Sequence, residues 1–248
     1  MQLNFLKWIA MACIVSLLTM QANASVVITG TRVIYPADAR DVTVKLNNNG
    51  TAPALIQAWV DDGDTSVAAQ QRPMPFTLTP PVFRIDPEKG QMLRVIYTQA
   101  GLPTDRESVY YLNVFEIPPK FEREDRQNVL QMAFRTRIKL FYRPKGLVGD
   151  PNDAPAKVTW SFARSADDKQ IVLLAKNPTP YHVSVTRASI QAGDKTHESA
   201  PGMIAPFGQR EFVLEGLQKA PEGPVRVRFE TINDFGANVS ATYPAESR

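Results

Sequence analysis

Cysteine is nearly missing from this chain of 248 residues, and the one present, Cys13, lies in an apolar segment close to the N-terminus. The rest of the chain therefore has no disulfide to rely on, and its stability must come from packed cores. Histidine is scarce too. His182 and His197 are the only two, neither stands in an HExxH pattern, and both read as structural or solvated side chains. GxSxG, Walker and dinucleotide-binding motifs are also missing, so the sequence offers no hydrolytic, nucleotide or redox chemistry and indicates no cofactor and no metal. Nor is there an excess of one charge. With 28 Lys+Arg against 25 Asp+Glu, the formal net charge is +3, far from the basicity of a nucleic-acid-binding protein. After residue 24 no apolar run approaches the ~20 residues that cross a bilayer, which argues against membrane insertion. Protein partners are what remain.

Lys7, the apolar stretch Trp8 to Met20 and then Ala22-Asn23-Ala24 form the charged start, hydrophobic centre and small-residue cleavage site of a secretory signal peptide. Residues 1–24 are therefore expected to be removed and the product exported. Loss of Lys7 takes the formal charge from +3 to +2. The remaining length, 248 less 24 or about 224 residues, exceeds one usual domain and suits two of about 100 each.

The first half reads as short strands separated by turn chemistry: Val26 to Tyr35, Asp41 to Leu46, a hairpin turn at Asn47-Asn48-Asn49-Gly50, and Ala54 to Val60. Asp61-Asp62-Gly63-Asp64 reads as an acidic turn. A calcium loop is the competing reading, but the ligand glutamate expected at loop position twelve is missing. Five prolines between Pro73 and Pro87, including Thr79-Pro80-Pro81, exclude a helix there and favour a cis peptide. Gln91 to Thr98 and Ser108 to Ile117 are further strands. Seven short strands in this rhythm indicate an antiparallel sandwich of the immunoglobulin type. Beyond the linker-like Lys145 to Pro151, the rhythm resumes at Lys157 to Ala163, Gln170 to Ala175, Tyr181 to Gln191, Gln209 to Leu214, Val225 to Thr231 and Asn238 to Tyr243. The fold class is thus all-β, with two sandwich domains over residues 25–145 and 146–248 and a cleft between them. Trp59 and Trp160, both in strands, are expected in the cores.

One stretch does not fit a small sandwich. Residues 127 to 144 hold no glycine, and no proline until the last position. Leu130, Met132 and Phe134 alternate with Gln131, Ala133 and Arg135, so the three apolar side chains share one face of a strand. Eighteen extended residues would reach roughly 60 Å, whereas a usual strand has about five or six. A strand this long leaves part of its edge open, a liability unless the edge is used.

Leu102 to Pro119 reads Leu-Pro-Thr-Asp-Arg-Glu-Ser-Val-Tyr-Tyr-Leu-Asn-Val-Phe-Glu-Ile-Pro-Pro. This resembles the signature of the periplasmic pilus-assembly chaperones of the chaperone–usher pathway. The resemblance extends to Thr29 to Arg32, Thr79-Pro80-Pro81, Ile138 to Pro144, Asn177 to Tyr181 and Ile232 to Gly236, and so covers most of the chain after residue 24. It implies two immunoglobulin-like domains set at an angle, a non-enzymatic role, and a location in the periplasm. The implied partners are pilus subunits and an outer-membrane usher. Each subunit lacks its last strand, and the chaperone lends its own until assembly.

Carried over position by position, the resemblance makes Leu130, Met132 and Phe134 the donor residues, with Asn128 at the margin. Arg32 and Lys139 become the anchor for the subunit's terminal carboxylate. Glu107, Arg143 and Asp234 become an ion-pair network between the domains. Three donor side chains at about 1.5–3 kcal/mol each would contribute roughly 5–9 kcal/mol before ordering costs. Strict alternation puts Lys139 on the face opposite the donor residues, which suggests a bulge or strong local twist. The connection Lys120 to Gln127 favours the short-loop subgroup. The alternatives on residues alone are an ordinary exposed pair for Arg32 and Lys139, and burial in their own core for Leu130, Met132 and Phe134. For the whole chain, the alternative is a structural or adhesive component of a surface fibre. Whether the free protein self-associates to cover its edge is left open.

Overall fold

The computed structural model describes residues 25–64, 72–98, 101–117, 132–165, 170–221, 223 and 225–245. Asn128, Leu130 and the first part of the expected long strand lie outside the described residues, as do residues 1–24.

The first sandwich is made of β1 (Val26–Ile28), β2 (Arg32–Pro36), β3 (Val42–Asn48), β4 (Ala54–Asp61), β5 (Phe76–Thr79), β6 (Val82–Ile85), β7 (Gly90–Tyr97), β8 (Ser108–Ile117) and β9 (Phe134–Arg143). One sheet has the order β1-β3-β7-β5 and the other β2-β9-β8-β4-β6. Alternation decides what lies between them. In β4, Ala54, Ile56, Ala58 and Val60 point inward, while Leu55 is exposed and Trp59 only half-buried. The expectation of a core Trp59 is therefore wrong by one position: its odd parity turns it to the outer face.

Two turn readings also change. The run from Val26 to Tyr35 is two strands in different sheets, broken near Gly30, whose φ of +99° is open to glycine at little cost. The Asn47 to Gly50 segment is not a hairpin, since β3 and β4 belong to opposite sheets. Asn48 is fully buried there and its amide donates to the carbonyls of Ala52 and Ile85 at 2.8 and 3.0 Å, which fixes the crossing between sheets. The proline-rich stretch holds β5 and β6 around a cis Thr79–Pro80 bond.

The second sandwich follows α1 (Ala154–Lys157), a single turn. Its strands are β10 (Thr159–Arg164), β11 (Ile171–Lys176), β12 (Val183–Ala192), β13 (Lys195–Glu198), β14 (Gly202–Ile204), β15 (Gln209–Val213), β16 (Val225–Ile232) and β17 (Asn238–Ala245). Sheet β10-β11-β15 faces β13-β12-β16-β17, with β14 also paired to β12. Trp160 is buried between Phe212 and Phe229, with ring centroids 5.3 and 5.0 Å away. The short β13 and β14 lie in polar, glycine-containing sequence with no period-two signal.

All the strand pairs are antiparallel except β2 with β9, which is parallel. Its register sets Arg32 beside Lys139 and Tyr35 beside Tyr142. β2 spans only residues 139–143 of β9, whereas β8 accompanies β9 from Phe134 to Tyr142. Among the described residues, the first half of β9 therefore has a neighbour on one edge and none on the other.

Candidate functional site

The open edge of β9 ends where β2 begins, and the two faces of β9 differ there. Ile138, Leu140 and Tyr142 continue into the core of the first sandwich. Phe134 and Met132, of the same parity, project past that core and are 48% and 58% exposed. The β8–β9 register runs without a shift from Glu116↔Phe134 to Ser108↔Tyr142. No bulge therefore separates Lys139 from Phe134. Ordinary alternation leaves Phe134 on the face that continues the core and Lys139 on the opposite, cleft face of one regular strand.

Arg32 and Lys139 share the cleft face. The Arg32 guanidinium lies over the Phe141 ring at 5.5 Å and its Nη1 donates to the Ile232 carbonyl at 2.8 Å. Arg32 Nε is buried and meets no acceptor among the described residues. Lys139 Nζ donates to Ser184 Oγ at 3.1 Å. Burial pulls the Lys139 ammonium below its ordinary pKa, and the charges of Arg32 and Arg210 add to that. Burial likewise lowers Arg32, against the pull of Asp234 and Glu107. Among the described residues neither cation has a carboxylate within ion-pair distance. Two half-buried like charges side by side are costly unless an anion joins them.

The cleft behind them is closed by a second cluster. Arg143, the last residue of β9, donates through Nη1 and Nη2 to Asp234 at 2.6 and 3.0 Å, and through Nε to Glu107 at 2.7 Å. Glu107 is only 4% exposed and accepts from the His182 backbone N–H at 2.8 Å, with His182 Nδ1 3.3 Å away. Burial pushes the Glu107 carboxyl up, but His182 and Arg143 outweigh it and hold the group below the usual range. The Glu107 N–H also donates to the Pro180 carbonyl at 2.9 Å. Glu107 and Arg143 come from the first sandwich, Asp234 and His182 from the second. His182 was not singled out by the sequence as a member. A signal existed: it follows Asn177 to Tyr181, a segment pinned by its own hydrogen bonds. Arg32, Phe141, Arg143, Ser184, Asp234 and Phe235 line a cavity of about 320 Å³ in the cleft.

No group of three or more metal-ligating side chains occurs among the described residues. Nor does any described helix have the length and hydropathy to cross a membrane.

Comparison with known proteins gives two family matches in sequence order. Residues 25–148 match the N-terminal domain of the pili and flagellar-assembly chaperone PapD, and residues 153–243 match the C-terminal domain of the pili assembly chaperone PapD. The probable fimbrial chaperone YadV of Escherichia coli K12 is 44% identical over 87% of this chain and 88% of its own length. A crystal structure of YadV chaperone covers 89% of this chain and 99% of its own, with a TM-score of 0.76 and 42% identity. The chaperone protein FimB/FhaD of Bordetella pertussis is 44% identical over 91% and 90% of the two chains. A Salmonella enterica structure of SafA pilin in complex with the SafB chaperone aligns over 90% of this chain and 98% of its own, with a TM-score of 0.72 and 26% identity.

Proposed function

Since this chain belongs to the pilus-assembly chaperones, a non-enzymatic family, we propose that it works in the periplasm, where it holds incomplete pilus subunits and passes them to an outer-membrane usher. In this reading residues 1–24 are a cleaved signal peptide. Residues 25–145 form the domain that lends the strand and 146–248 the domain that walls the cleft. The connection Lys120 to Gln127 is somewhat long for the short-loop subgroup but lacks the cysteines and length of the long-loop subgroup, which favours the short-loop subgroup.

The carrying observation is the pair Arg32 and Lys139, registered with each other, half-buried and, among the described residues, without a carboxylate partner, at the point where the open edge of β9 stops. A strand added to that edge abuts the start of β2. If it ends in a carboxylate held by Arg32 and Lys139, its C-terminus lies at residue 139 and it runs parallel to β9. Backbone pairing with residues 134–138 then supplies register. Phe134 and Met132, with Leu130 continuing the face and Asn128 at its margin, fill the apolar groove of the subunit. A charge-assisted hydrogen bond to the carboxylate contributes about 1.5–3 kcal/mol, less than the apolar face together, so the cations fix position and the groove supplies most of the affinity.

The test is recovery of a co-expressed subunit from the same assembly system. Arg32→Ala and Lys139→Ala are each expected to abolish co-purification while the chaperone stays folded. Undiminished recovery with both variants would remove the anchor.

A further inference from the structure

The outer face of β9 carries four cations, Arg135, Arg137, Lys139 and Arg143. Three of them have carboxylates: Arg143 has Glu107 and Asp234, while Arg135 and Arg137 share Asp61. Asp61 ends β4, on the far side of β8 from the open edge. Arg137 pairs with its Oδ1, and Arg135 Nη2 reaches its Oδ2 at 3.4 Å. Fully buried Asn113 ties the group together. Its amide donates to Asp61 Oδ2 at 2.7 Å, and its oxygen accepts from Arg135 Nε and Nη2 at 2.9 and 2.6 Å. The Arg135 guanidinium lies 5.1 Å from the Trp59 ring centre and that of Arg137 3.9 Å from that of Tyr111. Both heads are thus drawn across β8, away from the edge where a partner strand would pair.

This arrangement bears on a weakness of strand addition. A shift by two residues returns every side chain to its own face, so the alternating pattern alone does not forbid it. One such step, about 6.6 Å along the strand, would carry a terminal carboxylate from Lys139 to Arg137, and a second step to Arg135. We propose that Asp61, seated by Asn113, is a register-determining residue: by occupying Arg135 and Arg137 it leaves Lys139, alone among the described cations of β9 and with Arg32 of β2 beside it, free to take the partner's C-terminal carboxylate. The inference rests on the docking reading above and adds to it a reason why one register wins.

The chain has no cysteine after Cys13, so engineered cysteines report register directly. A co-expressed subunit with one cysteine in its C-terminal strand is trapped as a disulfide against Phe134→Cys or Thr136→Cys of the chaperone, two residues apart. With Asp61 in place one position dominates. With Asp61→Asn, a nearly isosteric change, the position two residues away is expected to rise roughly tenfold relative to the first, the ratio given by ~1.4 kcal/mol. Asp61→Glu should keep the single register. Combining Asp61→Asn with Arg135→Gln and Arg137→Gln should restore it, a rescue that a merely structural role for Asp61 would not produce. Trapping of Asp61→Asn in the native position alone overturns the proposal, even if affinity drops. A chain with Asp61 intact that traps subunit at neither position instead overturns the docking reading itself.

Discussion

Lys139 is held by burial and by two neighbouring cations in a setting that disfavours its charge, and its one hydrogen-bond partner among the described residues is the neutral Ser184. An arriving carboxylate reverses that balance, so subunit binding should require the protonated ammonium. Because the folded pKa lies below the ordinary ~10.4, the charge is complete well below that value and is lost as pH rises through the lowered one. Subunit affinity should therefore fall on the alkaline side earlier than an ordinary lysine would dictate. Lys139→Arg, charged throughout that range, should hold its affinity to higher pH while binding somewhat more weakly near neutrality, since the forked head does not fit a site shaped for an ammonium. Affinity measured from pH 7 to 10 on both proteins checks this. Coincident alkaline midpoints would remove Lys139 from the binding step.

At the scale of the strand, β9 changes its surroundings along its length. Ile138, Leu140 and Tyr142 are core, while Phe134 keeps the same parity and is left half in solvent. Truncation should therefore separate binding from stability. Phe134→Ala is expected to lower subunit affinity by roughly 10- to 150-fold, the equivalent of burying one large apolar side chain at 1.5–3 kcal/mol. The same change should shift the stability of the free chaperone by no more than about 0.5 kcal/mol, as for other exposed positions. Thermal melting and competition for a labelled subunit measure the two. A large loss of stability with unchanged affinity would mean that Phe134 serves its own fold.

Much at this scale was legible beforehand, because it rests on period-two alternation and on turn residues. Ser108–Ile117 stands where expected, and β4, β7, β11 and β16 differ by a residue or so at their ends. What alternation cannot convey is which sheet a strand joins. Val26 to Tyr35 reads as one apolar run, yet Gly30 sends its halves to opposite sheets, and Asn47 to Gly50 has hairpin chemistry but spans the sandwich. The charged residues of the cleft were legible as residue types, whereas their balance of charges was not. The pairing of Arg135 and Arg137 with Asp61 joins positions 74 and 76 residues apart, and only the order of β9, β8 and β4 brings them together.

For the molecule as a whole, the cleft exists because two sandwiches are fixed across a small polar hinge. Gly236 (φ +83°) brings the turn between β16 and β17 so close to Thr31 that a Cβ there would sit 2.6 Å from the threonine hydroxyl oxygen. The flanking Ile232 carbonyl and Asp234 carboxylate are bound by Arg32 and Arg143. Arg32, the proposed anchor, thus also bridges the hinge, so in that reading the angle between domains and the position of the anchor are set by the same contacts. Asp234→Ala removes the bidentate partner of Arg143 and leaves that guanidinium with Glu107 alone. Removing one member of a buried pair costs about 3–5 kcal/mol. This pair keeps some solvent access, with side-chain exposures of 20% and 22%, so the lower end is expected. The loss should appear as a wider spread of domain angles in small-angle scattering and a lower yield of the protein, while each sandwich keeps its own core. Acid should act in the same direction. Glu107 lies below its ordinary value in the folded state, so its contribution is complete above the unfolded carboxyl pKa of ~4.3 and disappears as pH falls through the lower folded one. Scattering curves unchanged by Asp234→Ala, at neutral pH and at pH 3 alike, would show that the hinge is held by something other than this network.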